Sequence, residues 1–203
     1  MPGLWNVIEY LFPFALAAFF AVGFYALALF KDYFTRFMIR GDLDFAKNNN
    51  LSHMLTVFAF AMIAVGFAAP AAMSHSLSVS VVGMIIAIFS TSLAVVLMGI
   101  KMILGFTSIF EKGIDKGGSP SVWISIPILT LLGITFVRLY MGVSHNLMDV
   151  AAPSSLPLLL VLTVLVSLQV MFGFIGFSVL KNVNYFHDYV DGKEKSAGSY
   201  ALI

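Results

Sequence analysis

The chain has 203 residues, of which 60% are hydrophobic and only 10% are charged, and its formal net charge is +1. Soluble domains carry about 25% charged residues, so this composition excludes a soluble globular protein and predicts an integral membrane protein. The near-neutral charge gives no support for binding to nucleic acid. The lack of cysteine excludes disulfides, thiolate-bound metals and iron–sulfur ligation in the chain as given.

Five apolar runs are each close to or longer than the roughly 20 residues that a helix needs to cross a bilayer. They fall at about residues 5–30, 51–73, 77–106, 122–143 and 155–180. The short alternating segments of an outer-membrane barrel are not seen in the sequence. The sequence therefore predicts an all-α, polytopic transmembrane helix bundle that forms a single membrane domain over 1–203.

The positive charges predict the orientation of this bundle. All lysine and arginine residues except Arg138 fall within 31–50, 101–116 or 181–203, which lie on one side if the five spans alternate. We therefore expect the N-terminus outside and the C-terminus in the cytosol, in a bacterial inner membrane. Segment 31–50 is expected to be a cytosolic loop or a short interfacial helix, and Lys101 is expected to reach the cytosolic interface. Segment 181–203 is expected to be a cytosolic tail in which Ser196 or Ser199 caps the start of a further helix.

Three spans carry stripes of small or polar residues, which are costly to expose to lipid. They include Ser90, Thr91 and Ser92 in span three, and Gln169 and Gly173 in span five. One interpretation is helix packing, in which small residues let backbones approach and hydroxyl groups bond across an interface. The other is that the stripes converge on a pathway for a small anion. Hydroxyl and amide groups suit such a pathway because they donate hydrogen bonds to an anion without binding it too tightly to move on.

Arg138 lies within span four, towards its outer end. A cation at this depth raises the local concentration of anions, so Arg138 joins the candidates for solute attraction. The alternative is a structural ion pair with Glu9 or Asp149, which are predicted on the same side of the membrane.

Two histidines, His75 and His145, fall near the outer ends of spans on the same side. A histidine pair at matching depth can hold a b-type haem, so a haem- or quinone-associated membrane subunit of a redox complex is the alternative function. Both lie at loop junctions, which favours interfacial histidines instead. The sequence has no P-loop, HExxH, nucleophile elbow or paired carboxylates, so enzyme activity has no positive support, and no cofactor or metal besides this haem is predicted.

The stretch KGGSPSVWISIPILTLLGITFVRL enters a helix through Ser-Pro and carries Trp123, Pro127 and Gly133. It resembles the cytosolic loop and proline-containing span of TehA-type proteins, a superfamily that includes tellurite-resistance and dicarboxylate transporters and the plant slow anion channels. The resemblance implies a small-anion channel or transporter in which spans one, three and five line the pathway. Family members have ten spans and this chain has five, so no pore residue is carried over.

The last stretch, KNVNYFHDYVDGKEKSAGSYALI, is similar to a segment of the TsoY family of bacterial membrane proteins, many of which are selenoproteins. In that family a Tyr-Ala-Leu-Ile stretch runs into a selenocysteine, encoded by UGA, and a further apolar span follows. The resemblance implies that Ile203 precedes a selenocysteine and that the full-length protein links anion passage to sulfur or selenium redox chemistry. The alternative is a naturally short protein, and assembly into a homo-oligomer is open in both cases.

Overall fold

The structure, a computed structural model, describes residues 3–40, 49–148 and 154–191, and every regular element among them is helical. The all-α prediction is therefore confirmed for these residues. Five helices are long and apolar enough to cross a membrane. They are α1 (Gly3–Arg40), α2 (Leu55–Met73), α3 (Leu77–Lys112), α4 (Ser125–Gly142) and α5 (Leu156–Asn182).

The helix ends differ from the predicted spans chiefly in α1 and α3. α1 continues to Arg40, into the segment predicted as a cytosolic or interfacial loop, because residues 31–40 contain no glycine or proline that would interrupt it. α3 continues to Lys112 and ends at Gly113, whose φ of 79° is a left-handed conformation that glycine adopts without strain. Segment 41–48 and the predicted start of a further helix at 196–203 lie outside the described residues.

Helix α2 is the centre of the bundle and packs against α1, α3 and α4. Its Ala61, Ala64 and Ala68 are fully buried, so neighbouring backbones can approach it closely. On α3, a Cβ added to Gly83 would lie 2.8 Å from the carbonyl oxygen of Phe67, which is closer than real contacts allow. The small residues of these two helices therefore serve their mutual packing.

Helices α1 and α5 lie at the periphery of this central group. α1 contacts α2 through aromatic rings, and the ring centroid of Phe20 lies 5.3 Å from that of Phe67. α5 packs against α4 and against the short helical turn Ser119–Ile124, which precedes α4. The outward faces of both helices expose large apolar side chains such as Phe24 and Phe174, which is compatible with contact with lipid.

The alternation of the helices brings the α2–α3 connection and the C-terminal end of α4 to one end of the bundle. The described residues of the basic segments lie at the opposite end, where Lys116 forms an ion pair with Asp188 and the backbone N–H of Asp115 donates to the carbonyl of Asn49 at 3.0 Å. That the basic end faces the cytosol is a prediction from the distribution of lysine and arginine.

Candidate functional site

A polar pocket of about 540 Å³ lies at the end of the bundle where α2 meets α4. Its polar lining consists of Ser74, His75, Arg138, His145 and Asn146. Two of these residues lie on the π-helical turn Val143–Leu147 that ends α4. Such turns widen a helix locally and are frequent at functional sites, and this one turns polar side chains towards the α2–α3 connection.

Arg138 supplies the positive charge of this pocket. One of its terminal nitrogens, Nη1, donates a hydrogen bond to the backbone carbonyl of Val65 on α2, at 3.1 Å. A guanidinium has five N–H donors, so this bond leaves others for a ligand in the pocket. The ion pairs formed within the described ranges do not include Arg138, so its charge is not neutralised by a carboxylate there.

Glu9, one of the two predicted ion-pair partners of Arg138, has a different role. Its carboxylate accepts hydrogen bonds from the hydroxyl of Ser74 at 2.6 Å and from the backbone N–H groups of His75 and Ser76 at 3.1 and 3.3 Å. These groups precede the first turn of α3, where N–H donors lack helical partners and the helix dipole favours a negative charge. Glu9 therefore caps α3 from a different helix. The other predicted partner, Asp149, lies outside the described residues.

Asn146 holds the rim of the pocket together. Its side-chain amide donates to the hydroxyl of Ser80 at 2.8 Å and to the carbonyl of Ala71 at 3.2 Å. The Ser80 hydroxyl in turn donates to the same carbonyl at 2.6 Å. These bonds join the end of α4 to α2 and α3 at the rim of the polar pocket.

An apolar groove of about 350 Å³ lies between α4 and α5, beside the polar pocket. The two spaces share Val137 and Arg138 in their linings. At the far end of the groove, the side-chain amide of Gln169 donates to the hydroxyl of Thr130 at 2.7 Å and to the carbonyl of Ile126 at 3.1 Å. Arg138 and the Gln169 amide thus lie at opposite ends of one groove.

Comparison with known proteins adds no relative to this picture. No family model, curated protein or solved structure matches the chain. The resemblances to TehA-type and TsoY proteins therefore stay predictions, and the chemistry of the pocket rests on its own residues.

The remaining candidate residues from the sequence lie elsewhere in the bundle. Ser90 lines an aromatic cavity of about 190 Å³ between α1, α2 and α3. The Thr91 hydroxyl donates within its own helix to the carbonyl of Ala87 at 2.7 Å, and Ser92 is exposed on the outer face. The carbonyl of Gly173 accepts a hydrogen bond from the Trp123 indole at 3.2 Å. The structure therefore brings together Arg138 and Gln169 but not the other predicted lining residues.

The predicted histidine pair shares the polar pocket. His75 and His145 both line it, and both are exposed. They approach from different elements, since His75 follows α2 and His145 lies in the turn after α4. The sequence signal for their common location was that both fall near the outer ends of spans on the same side.

Three residues that organise the bundle were not predicted in these roles. Glu9 and Asn146 carry only a weak signal, because a single polar residue near a helix end does not reveal its partner. Lys101 was expected to extend to the cytosolic interface, yet it is only 7% exposed. Its ammonium donates to the carbonyl of His53 at 2.7 Å and to the hydroxyl of Thr56 at 3.0 Å, so it binds α3 to the start of α2.

Proposed function

We propose that the protein binds a small anion in the polar pocket and that this binding is the recognition step of channel or carrier transport across a bacterial inner membrane. The observation that carries the proposal is the position of Arg138, which lines both the pocket and the neighbouring groove. The resemblance to TehA-type transporters supports the same class of solute.

Charge balance at this end of the bundle favours an anion. The carboxylate of Glu9 is engaged by the hydroxyl and N–H donors at the start of α3, so it does not compete for the guanidinium. Arg138 retains N–H donors for charge-assisted hydrogen bonds, which are stronger than neutral ones. An anion that enters the pocket meets a cation among hydrogen-bonding side chains rather than a closed ion pair.

The proposed orientation places the polar pocket on the outer side of the membrane, as the positive-inside rule predicts. A solute from outside would then meet Arg138 first. The groove between α4 and α5 would form the first part of the route of the anion through the membrane. The resemblance to TehA-type proteins implies a different route, lined by spans one, three and five.

Anion flux from proteoliposomes tests the proposal. We expect chloride, nitrate or acetate flux to fall at least tenfold in Arg138→Gln, because a hydrogen bond to a charged group is worth about 1.5–3 kcal/mol, or roughly 10- to 100-fold in affinity. Arg138→Lys keeps the charge and is expected to retain intermediate flux. Equal flux through wild type and a folded Arg138→Gln variant would refute the proposal.

A second candidate function rests on the shared position of His75 and His145 in the pocket. Two imidazoles can ligate a b-type haem, as in a membrane subunit of a redox complex. Titration of the purified protein with haemin tests this candidate. A saturable Soret band that His145→Ala abolishes would support haem ligation, and an unchanged free-haemin spectrum would exclude it.

A further inference from the structure

The polar pocket and the apolar groove are neighbouring spaces that both have Val137 and Arg138 in their linings. The pocket carries Arg138 and its hydrogen-bonding neighbours, whereas Leu162, Leu165 and Val166 of α5 line the groove beside α4. An inorganic ion would occupy only the first part. A ligand that fills both parts has a charged head and an apolar tail.

We propose that the anion is the carboxylate head of a single-chain amphiphile of about ten carbons, with its head at Arg138 and its tail in the groove. This inference rests on the proposed anion site and names the class of ligand for it. A carboxylate accepts paired hydrogen bonds from a guanidinium fork, and the apolar tail avoids the cost of placing polar groups against the leucines of the groove.

Two measures of the groove agree on the size of the tail. If a methylene group takes about the volume of a water molecule, about 30 Å³, the groove of 350 Å³ holds on the order of ten methylenes. Along α4, Thr130 and Arg138 lie eight residues apart, which is roughly 12 Å at 1.5 Å per residue. Both measures fit one medium-length chain inside the groove.

The far end of the groove is closed by polar groups. The side-chain amide of Gln169 donates to both Thr130 and Ile126, and this bridge joins α4 to α5. A methyl terminus gains no apolar contacts by extending past the bridge, because the amide and hydroxyl there are polar groups. The bridge therefore limits the length of the tail.

Gly133 provides the means to block the groove. It lies in the lining, and a Cβ built there would make ordinary contacts at 3.5 and 3.6 Å with Leu165 and Leu162. The first atom of a larger side chain is therefore tolerated, and the rest would fill the groove. Gly99 on α3 is the matched control, because a Cβ built there meets no atom within 4 Å.

Photolabelling in nanodiscs tests the inference, with a ten-carbon carboxylate that carries a diazirine near its methyl end. In wild type and Gly99→Leu we expect saturable labelling of the α4 and α5 residues that line the groove. Unlabelled decanoate is expected to compete at a concentration at least 100-fold below that of acetate, because each methylene removed from water contributes about fourfold in affinity. Labelling of the groove should fall at least tenfold in Gly133→Leu and in Arg138→Gln.

Several outcomes would overturn the inference. Labels spread over the lipid-facing sides of the bundle, or groove labelling that survives Gly133→Leu, would show that the tail does not occupy the groove. Competition by phosphatidylglycerol in the nanodisc as strong as that by decanoate would replace the single-chain ligand with a phospholipid. If anion flux still depends on Arg138 in any of these cases, only the inference about the tail fails and the proposed function stands. Equal flux through wild type and Arg138→Gln would refute the proposed function itself.

Discussion

The attachment of α5 to the bundle depends on one close approach that a single methyl group should disrupt. A Cβ added to Gly176 would lie 2.2 Å from the indole nitrogen of Trp123, whereas a Cβ added to Gly173 meets only a side-chain carbon of Ile126 at 4.0 Å. The two glycines lie one turn apart on the same helix. Gly176→Ala and Gly173→Ala therefore form a matched pair in which only the first creates a steric conflict.

The expected difference in stability follows from the two contacts that Gly176→Ala affects. Overpacking a close contact costs about 1–3 kcal/mol. Displacement of the indole also breaks the hydrogen bond from Trp123 to the carbonyl of Gly173, 3.2 Å long, which is worth about 0.5–1.5 kcal/mol. The gain in helix propensity from glycine to alanine is common to both variants and cancels, so Gly176→Ala should be less stable than Gly173→Ala by roughly 2–4 kcal/mol.

Unfolding in mixed micelles with increasing sodium dodecyl sulfate measures this difference, with tryptophan fluorescence as the signal. The variant Gly176→Ala should unfold at a lower fraction of dodecyl sulfate and should show a changed emission from Trp123 before unfolding. Equal midpoints for the two variants would refute the close approach of Trp123 to α5. A large loss of stability in Gly173→Ala would show that α5 packs differently from the structure.

Three further changes test other contacts. Gly83→Ala brings a Cβ to 2.8 Å from the Phe67 carbonyl, so its free energy of unfolding should fall by about 1–3 kcal/mol relative to Gly99→Ala; equal thermal unfolding of the two would contradict the close α2–α3 packing. Glu9→Gln should lower Tm by about 2 °C, because a neutral amide is a weaker cap for α3, and an unchanged Tm would argue against that role. Gln169→Leu should cost about 1 kcal/mol in dodecyl sulfate titrations, because single bonds between membrane helices are weak, and a cost of several kcal/mol would indicate a larger polar network.

The hydrophobic signal predicted the number and type of the spans, since length and apolar composition alone decide whether a helix can cross a bilayer. The ends of the helices depend on different physics. α1 passes from apolar to charged residues without losing its helical hydrogen bonds, so the helix ends at Arg40 although the apolar run ends near residue 30. α3 likewise continues past its apolar run, and its end is marked by Gly113, a signal of backbone conformation rather than of hydropathy.

The candidate site could be predicted only in part, because a helical stripe identifies the polar residues of one helix but not what lies opposite. Arg138 and Gln169 were chosen as candidates because exposing a charged or polar side chain to lipid is costly, and both line the groove. Ser90 and Thr91 carried the same signal, yet Ser90 lines a separate aromatic cavity and the Thr91 hydroxyl is bonded within its own helix. The role of Glu9 depends on the α2–α3 connection, which no local pattern places beside it.

The position of the groove follows from how α5 is held. In a bilayer the hydrophobic effect does not drive one helix onto another, so packing and hydrogen bonds set their separation. Three polar contacts hold α5 and the residues just before it against α4 and the turn Ser119–Ile124. They join Trp123 to Gly173, Gln169 to Thr130, and Tyr140 to the carbonyl of Ser154. The groove occupies the interval between the second and third of these contacts, and Arg138 lies in that interval. Loss of the Gln169 contact should therefore lengthen the groove away from Arg138 and leave the polar pocket intact, because the bonds of Asn146 to α2 and α3 hold the pocket independently.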